Sequence, residues 1–143
     1  MKLSELIADV SAATFHLSSD PEITAVVEDS RAVTPGALFV ARRGREVDGH
    51  GFIPAALQAG AAAIAGELGE DQLPAVSATL RIPYVQVPDG AAAAGSLAAA
   101  LHGFPARKLV MIGVTGTDGK TTTCHLIHSV LRAAGIRAGL ITT

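Results

Sequence analysis

Gly113-Val114-Thr115-Gly116-Thr117-Asp118-Gly119-Lys120-Thr121 is a complete G-x-x-x-x-G-K-T string, the pattern of a phosphate-binding loop. It follows the apolar run Leu109-Val110-Met111-Ile112 and precedes a helix-like stretch. Strand, loop and helix in that order are the context the motif requires. The glycines let the backbone turn tightly and aim N–H groups at an anion. The helix that starts near Gly119 adds its unpaired amides and positive dipole end. In this reading Gly116, Thr117, Asp118, Gly119, Lys120, Thr121 and Thr122 form the nucleotide site. Lys120 sits on the outer phosphates, Thr121 places its hydroxyl on Mg²⁺, and Thr122 reaches a phosphate. ATP and Mg²⁺ are the expected cofactors. The competing reading is a chance Gly/Thr-rich turn, which the agreement of loop, lysine, threonine and flanking elements disfavours.

Upstream of the loop, hydrophobic periodicity marks further elements. Leu3, Leu6, Ile7 and Val10 recur at helical spacing, which predicts a short helix over 3–10. The β-branched run 23–27 predicts a strand, broken at Asp29-Ser30-Arg31. Thr34-Pro35-Gly36-Ala37 is a turn with Pro and Gly in the type II positions. Leu38-Phe39-Val40-Ala41 predicts a second strand, and residues 42–51 a polar, glycine-punctuated loop. A helix is expected from about Phe52 to Ala59, stopped by Gly60. Strands are expected at 62–65 and 83–87, and a helix over 91–101 with Gly103 beyond its end. Phe104-Pro105-Ala106-Arg107 reads as a boundary. Beyond it a strand over 108–114, the loop, a helix stopped by Gly135 and a strand over 137–141 are expected. Alternation of strand and helix gives the α/β class: a mixed α/β domain over 1–106, then the first strand-loop-helix of a P-loop parallel-sheet domain over 107–143. A P-loop domain has further strands and an acidic metal ligand on one of them. The chain therefore reads as the front part of a larger enzyme, with no catalytic residue of its own.

Composition narrows the partners. The 143 residues are 49% hydrophobic and 17% charged, which suits a globular chain with an aliphatic core. A net charge of −2 argues against a general nucleic-acid or membrane binder. The single cysteine, Cys124, has no internal partner for a disulfide, which suits the cytoplasm. The N-terminus lacks the apolar core of a signal peptide, and the Ala-rich stretch 91–101 is too short to span a bilayer. His125 and His128 beside Cys124 suggest a metal site only on paper, since no further ligand stands at the right spacing. His50 reads as a turn or cap residue, with substrate proximity second. Gly113, Gly116 and Gly119 do not make the G-x-G-x-x-G dinucleotide fingerprint.

A second set of strings adds a family resemblance. Asp29-Ser30-Arg31, Pro35-Gly36-Ala37-Leu38-Phe39-Val40-Ala41, Gly44, Asp48-Gly49-His50, Phe52-Ile53 and Gly60-Ala61 resemble the amino-terminal domain of the Mur ligases. Residues 113–123 resemble the start of their ATP-binding domain. Within the family the strings are most similar to the members that add the third peptide residue. The D-Ala-D-Ala-adding members share much of the first set, but usually have Ser in place of Thr117. The resemblance implies an ATP-dependent carboxylate–amine ligase of peptidoglycan synthesis that works through an acyl phosphate. Its partners would be a UDP-N-acetylmuramoyl dipeptide and an amino acid, diaminopimelate or lysine. It implies that the amino-terminal domain holds the UDP end of the sugar substrate, at positions matching Glu28, Ser30, Arg45, Glu46 and Val47. Arg42, Arg43 and Arg45 would offset the ligand's charge. Two departures stand out. Asp118 replaces the common Asn and puts a negative charge beside the phosphates. Glu28 stands where an apolar residue is frequent. The alternatives are a stand-alone UDP-sugar-binding module with a vestigial loop, and an ordinary P-loop ATPase or kinase. The strings between residues 29 and 61 disfavour the last.

Overall fold

The computed structural model describes residues 1–142 apart from 9, 11–13, 17–18, 45–46, 70–71 and 73–81. The chain divides into two compact units, Met1–Lys108 and Leu109–Thr143.

The first unit is built on a five-stranded sheet. Its elements are α1 (Leu3–Ile7), β1 (Thr14–His16), β2 (Ala25–Val27), β3 (Ala37–Ala41), α2 (Ile53–Gln58), β4 (Ala63–Gly66), β5 (Tyr84–Gln86) and α3 (Gly90–Leu101). The spatial order is β1-β5-β4-β3-β2. β2, β3, β4 and β5 pair in parallel, and β1 closes one edge antiparallel to β5. The mixed α/β class expected from the sequence is the one found. β1 is the strand that was not anticipated.

Strand alternation divides the core into two layers. Leu38 and Val40 of β3, Ala63 and Ala65 of β4, and Val85 of β5 face a cluster with Leu3, Leu6, Ala93, Leu97 and Ala100 from α1 and α3. Ala37, Phe39 and Ala41, with Ile64 and Tyr84, face the other way and pack on Ile53 and Ala56 of α2. All five residues of β3 are buried, as a parallel strand covered on both faces requires. Ala93, Leu97 and Ala100 recur at helical spacing on the buried side of α3, and small side chains there let the helix lie close to the sheet.

Turn chemistry sets the element ends. Gly36 takes φ +88° in the turn before β3, and the Ala37 N–H bonds the Thr34 carbonyl at 3.0 Å, the tight turn that Pro35-Gly36 predicts. Helix α3 ends in a left-handed cap. The Gly103 N–H reaches Ala100 O at 2.9 Å and the Phe104 N–H reaches Ala99 O at 2.7 Å. Phe104 itself holds φ +51°, a conformation that a bulky residue rarely takes. Its ring packs against the first core layer and carries the Arg107 guanidinium 3.8 Å from its centroid.

The second unit contains helix α4 (Lys120–Ala133). The strands expected over 108–114 and 137–141 are not formed among the described residues. Residues Pro105–Lys108 make a 3-10 turn instead. A strand exists only as a member of a ladder, and residues 109–114 form none. The side chains of Leu109, Val110, Met111 and Ile112 are exposed, Val110 to 91%, and α4 buries none of its residues.

Candidate functional site

The carboxyl ends of the four parallel strands open on one edge of the sheet. In open α/β sheets this is the edge where ligands bind. A charged residue follows each strand: Glu28 after β2, Arg42 after β3, Glu67 after β4 and Asp89 after β5.

Glu28 pairs with Arg42 through Oε1 and Nε. That ion pair engages the Glu28 carboxylate with the protein's own guanidinium. Ser30 opens a 3-10 turn, Ser30–Ala32, and is half-buried. Asp29 caps this turn by accepting the Arg31 N–H at 2.9 Å, and the Arg31 guanidinium grips the same carboxylate at 2.7 Å. The Arg31 hydrogen bonds hold Asp29 down to about 2. The short turn therefore presents Ser30 on a backbone fixed by its neighbours.

After β3 the chain makes a small hairpin. Arg43 bridges Asp48 in antiparallel fashion, and the Gly44 N–H donates to Val47 O at 3.0 Å. Val47 is exposed. Arg45 and Glu46 lie outside the described residues. Asp48 caps the 3-10 turn Gly49–Phe52 by accepting the His50 N–H at 2.9 Å, and that hydrogen bond lowers its pKa. His50 is 2% exposed. Its Nδ1 meets Asp48 Oδ1, and its Nε2 accepts the Glu67 N–H at 3.0 Å. With both ring nitrogens engaged by the protein, His50 is structural, as its turn-forming context suggested. Gly66 makes room for it, since a Cβ there would stand 2.9 Å from His50 Nε2 and 2.6 Å from the Tyr84 hydroxyl.

The two long helices begin differently. At α3 the Asp89 carboxylate accepts from Ala91 and Ala92 at 2.9 and 3.0 Å, and Glu67 accepts from Gly90 at 2.8 Å. Carboxylates of the protein itself close that end to an anion. At α4 the cap is Gly119, in the left-handed conformation with φ +75°, and it supplies no side-chain oxygen. Gly116 also takes a positive φ, +151°. Lys120 folds back, its Nζ donating to Gly116 O at 2.7 Å and Thr117 O at 2.9 Å. The ammonium is thus stapled to the loop that it would serve. Thr121 accepts from the Thr142 hydroxyl at 3.4 Å. Glycine backbone, lysine and a helix start without a carboxylate cap are a donor set that fits a nucleotide phosphate chain. Asp118 is the one acid within the loop.

Residues Gly116 to Thr122 lie together at the start of α4, and Glu28, Ser30 and Val47 lie after the strands at the carboxyl edge of the sheet. The sequence reading overlooked Glu67 and Asp89. The signal that marks them is a charged residue within three positions of the end of each parallel strand. Among the described residues no group of three or more His, Cys, Asp or Glu could hold a metal ion. His128 Nε2 instead lies 3.2 Å from Ala138 O. No helix among the described residues is long and apolar enough to cross a membrane.

Comparison with known proteins agrees with this architecture. A family model described as Mur ligase family, catalytic domain, matches residues 22–102. The chain is 47% identical over 143 residues to the UDP-N-acetylmuramyl-tripeptide synthetase of Roseiflexus sp. (strain RS-1), covering 100% of this chain and 27% of that one. It is 47% identical over 145 residues to the UDP-N-acetylmuramoyl-L-alanyl-D-glutamate--2,6-diaminopimelate ligase of Chlorobaculum tepidum, covering 99% and 28%. Among solved structures, MurF from Acinetobacter baumannii superposes with a TM-score of 0.69 at 26% identity, over 91% of this chain and 27% of that one. MurF ligase from Thermotoga maritima in complex with ADP gives 0.51 at 29% identity, over 76% and 23%. The chain spans between 23% and 28% of the length of these relatives. On the match over residues 22–102 the chain belongs to the Mur ligase family.

Proposed function

We propose that this chain contributes the UDP-substrate-binding domain and the phosphate loop of the ligase that adds the third amino acid to UDP-N-acetylmuramoyl-L-alanyl-D-glutamate. In this reading the carboxyl edge of the sheet takes the uridine-diphosphate end, with Ser30 and the hairpin 43–48 beside it. Arg45, Glu46 and Val47 contact the ligand as well. The Glu28 carboxylate tunes Arg42 and is not itself the ligand, because the ion pair already engages it. Gly116 to Thr122 hold ATP, with Lys120 leaving its two carbonyls for the phosphates and Thr121 ligating Mg²⁺. ATP would supply the phosphoryl group that turns the substrate carboxylate into an acyl phosphate open to attack by an amine. This chemistry belongs to the whole protein; the domain described here binds and orients.

The observation that carries the reading is the pairing, in one chain, of a carboxyl-edge site with an uncapped G-x-x-x-x-G-K-T helix start. The names of relatives sharing 47% of their aligned residues support the third-residue reaction. A second reading, a UDP-sugar-binding module with a vestigial loop, draws on the contrast between the packed first unit and α4, which buries no residue. Assay of the product of the uninterrupted reading frame separates the two. ADP and phosphate formed only with both UDP-muramoyl dipeptide and an amino acid support the ligase. UDP-sugar binding with no ADP formed under any combination supports the module.

A further inference from the structure

Glu67, at the carboxyl end of β4, connects three segments. Its Oε1 accepts the Gly90 N–H at 2.8 Å, at the start of α3. Its Oε2 accepts the Arg43 N–H at 3.4 Å, on one side of the hairpin after β3. Its own N–H donates to His50 Nε2 at 3.0 Å, and His50 holds Asp48 on the other side of the hairpin. Arg43 and Asp48 are themselves bridged. One residue therefore reaches both sides of the hairpin stem, one through its carboxylate and one through its backbone.

The surroundings leave little slack. A Cβ at Gly90 would come 2.5 Å from Arg42 Cβ and 2.9 Å from Glu67 Oε1. The start of α3 thus abuts the end of β3 with the Glu67 carboxylate between them. A carboxylate at a helix N-terminus is favoured by the helix dipole as well as by the amide. Both Glu67 oxygens are spent on backbone amides, so Glu67 is not placed as a ligand. Its ligand-side effect runs through Arg42 and Arg43, the cations of this edge.

We propose that Glu67 is a positioning residue, which sets the bridged pair Arg43 and Asp48 against α3 and thereby the affinity of the carboxyl edge for a uridine diphosphate. The inference rests on the placement of that ligand proposed above. Glu67→Gln keeps the size of the side chain but leaves one oxygen for two amides. Its NH₂ group then faces an N–H, and the weaker bond, to Arg43, is lost first.

The test uses the full chain, with UDP as the probe and backbone amides followed by NMR. For E67Q we expect faster hydrogen exchange at Arg43 than in the parent, an unfolding midpoint within a few degrees of it, and UDP binding weakened about tenfold, the equivalent of one hydrogen bond. Glu67→Ala should weaken UDP binding at least as much; if that variant fails to fold, E67Q alone decides. UDP affinity equal to the parent's in a folded E67Q chain would make Glu67 a purely structural residue and overturn the proposal. Failure of the parent chain to bind UDP would instead contradict the proposed function. In that case unchanged exchange at Arg43 in E67Q would still refute the positioning role, and selectively faster exchange there would uphold it.

Discussion

His50 and Glu67 are joined across the sheet edge, the buried imidazole accepting the Glu67 N–H at 3.0 Å. Since Nε2 accepts, the proton of the neutral ring sits on Nδ1 and is donated to Asp48. The tautomer follows from the hydrogen-bond network. This contact ties the end of β4 to the loop after β3, where sequence alone suggested only a turn.

His50→Ala removes that tie, opens a cavity and strands the Glu67 N–H. We expect a loss of about 1–3 kcal/mol in unfolding free energy, the range for a buried group that leaves a partner unsatisfied. Urea denaturation of the full chain measures it. A loss below about 0.5 kcal/mol, typical of surface changes, would show that the contact carries no weight.

Tyr84 gives a spectroscopic reading of the same region. It is the only tyrosine and there is no tryptophan. Its hydroxyl is buried against Leu68 O at 2.9 Å. Burial, with the Glu67 charge nearby, pushes its pKa up to about 12. The folded state holds the neutral phenol, so this stabilisation is complete below the unfolded value of about 10 and is lost as pH rises towards 12. Ultraviolet titration should show ionisation near 12, or only together with unfolding. Reversible ionisation near 10 in the folded chain would contradict the burial.

Much of the first unit was legible because its signals are local. Pro35-Gly36 dictates a turn, and the continuous apolar run Leu38-Phe39-Val40 a buried strand. Gly60 and Gly103 stop their helices by taking positive φ. What the sequence does not carry is partnership. β1 is three residues long and exists by pairing with β5, which no local pattern announces. The run 109–112 reads as a strand by composition, yet a strand needs a neighbour, and these residues have no ladder. The phosphate loop was readable because its motif is contiguous. The Glu67 link was not, because its partners Arg43, His50 and Gly90 are distant in sequence and meet only at the sheet edge.

The loop's acid yields a charge prediction. Asp118 lies between Gly116 and Lys120, where a bound diphosphate would meet a like charge. Asp118→Asn should tighten ADP binding about two- to fivefold, the range for one exposed charge pair. The gain should shrink as salt is raised. Isothermal titration of both chains with ADP reads it. Equal or weaker binding by D118N would show that the carboxylate faces away from the phosphates.

The proposed function requires two separate binding places on the chain, the sheet edge for uridine diphosphate and the glycine loop for adenine nucleotide. Titrating the full chain with UDP and with ADP, each alone, while following backbone amides by NMR tests it most directly. We predict that UDP moves Ser30, Arg43 and Val47, and that ADP moves residues 116–122. UDP shifts confined to residues 113–123, or one common set of amides for both ligands, would contradict it.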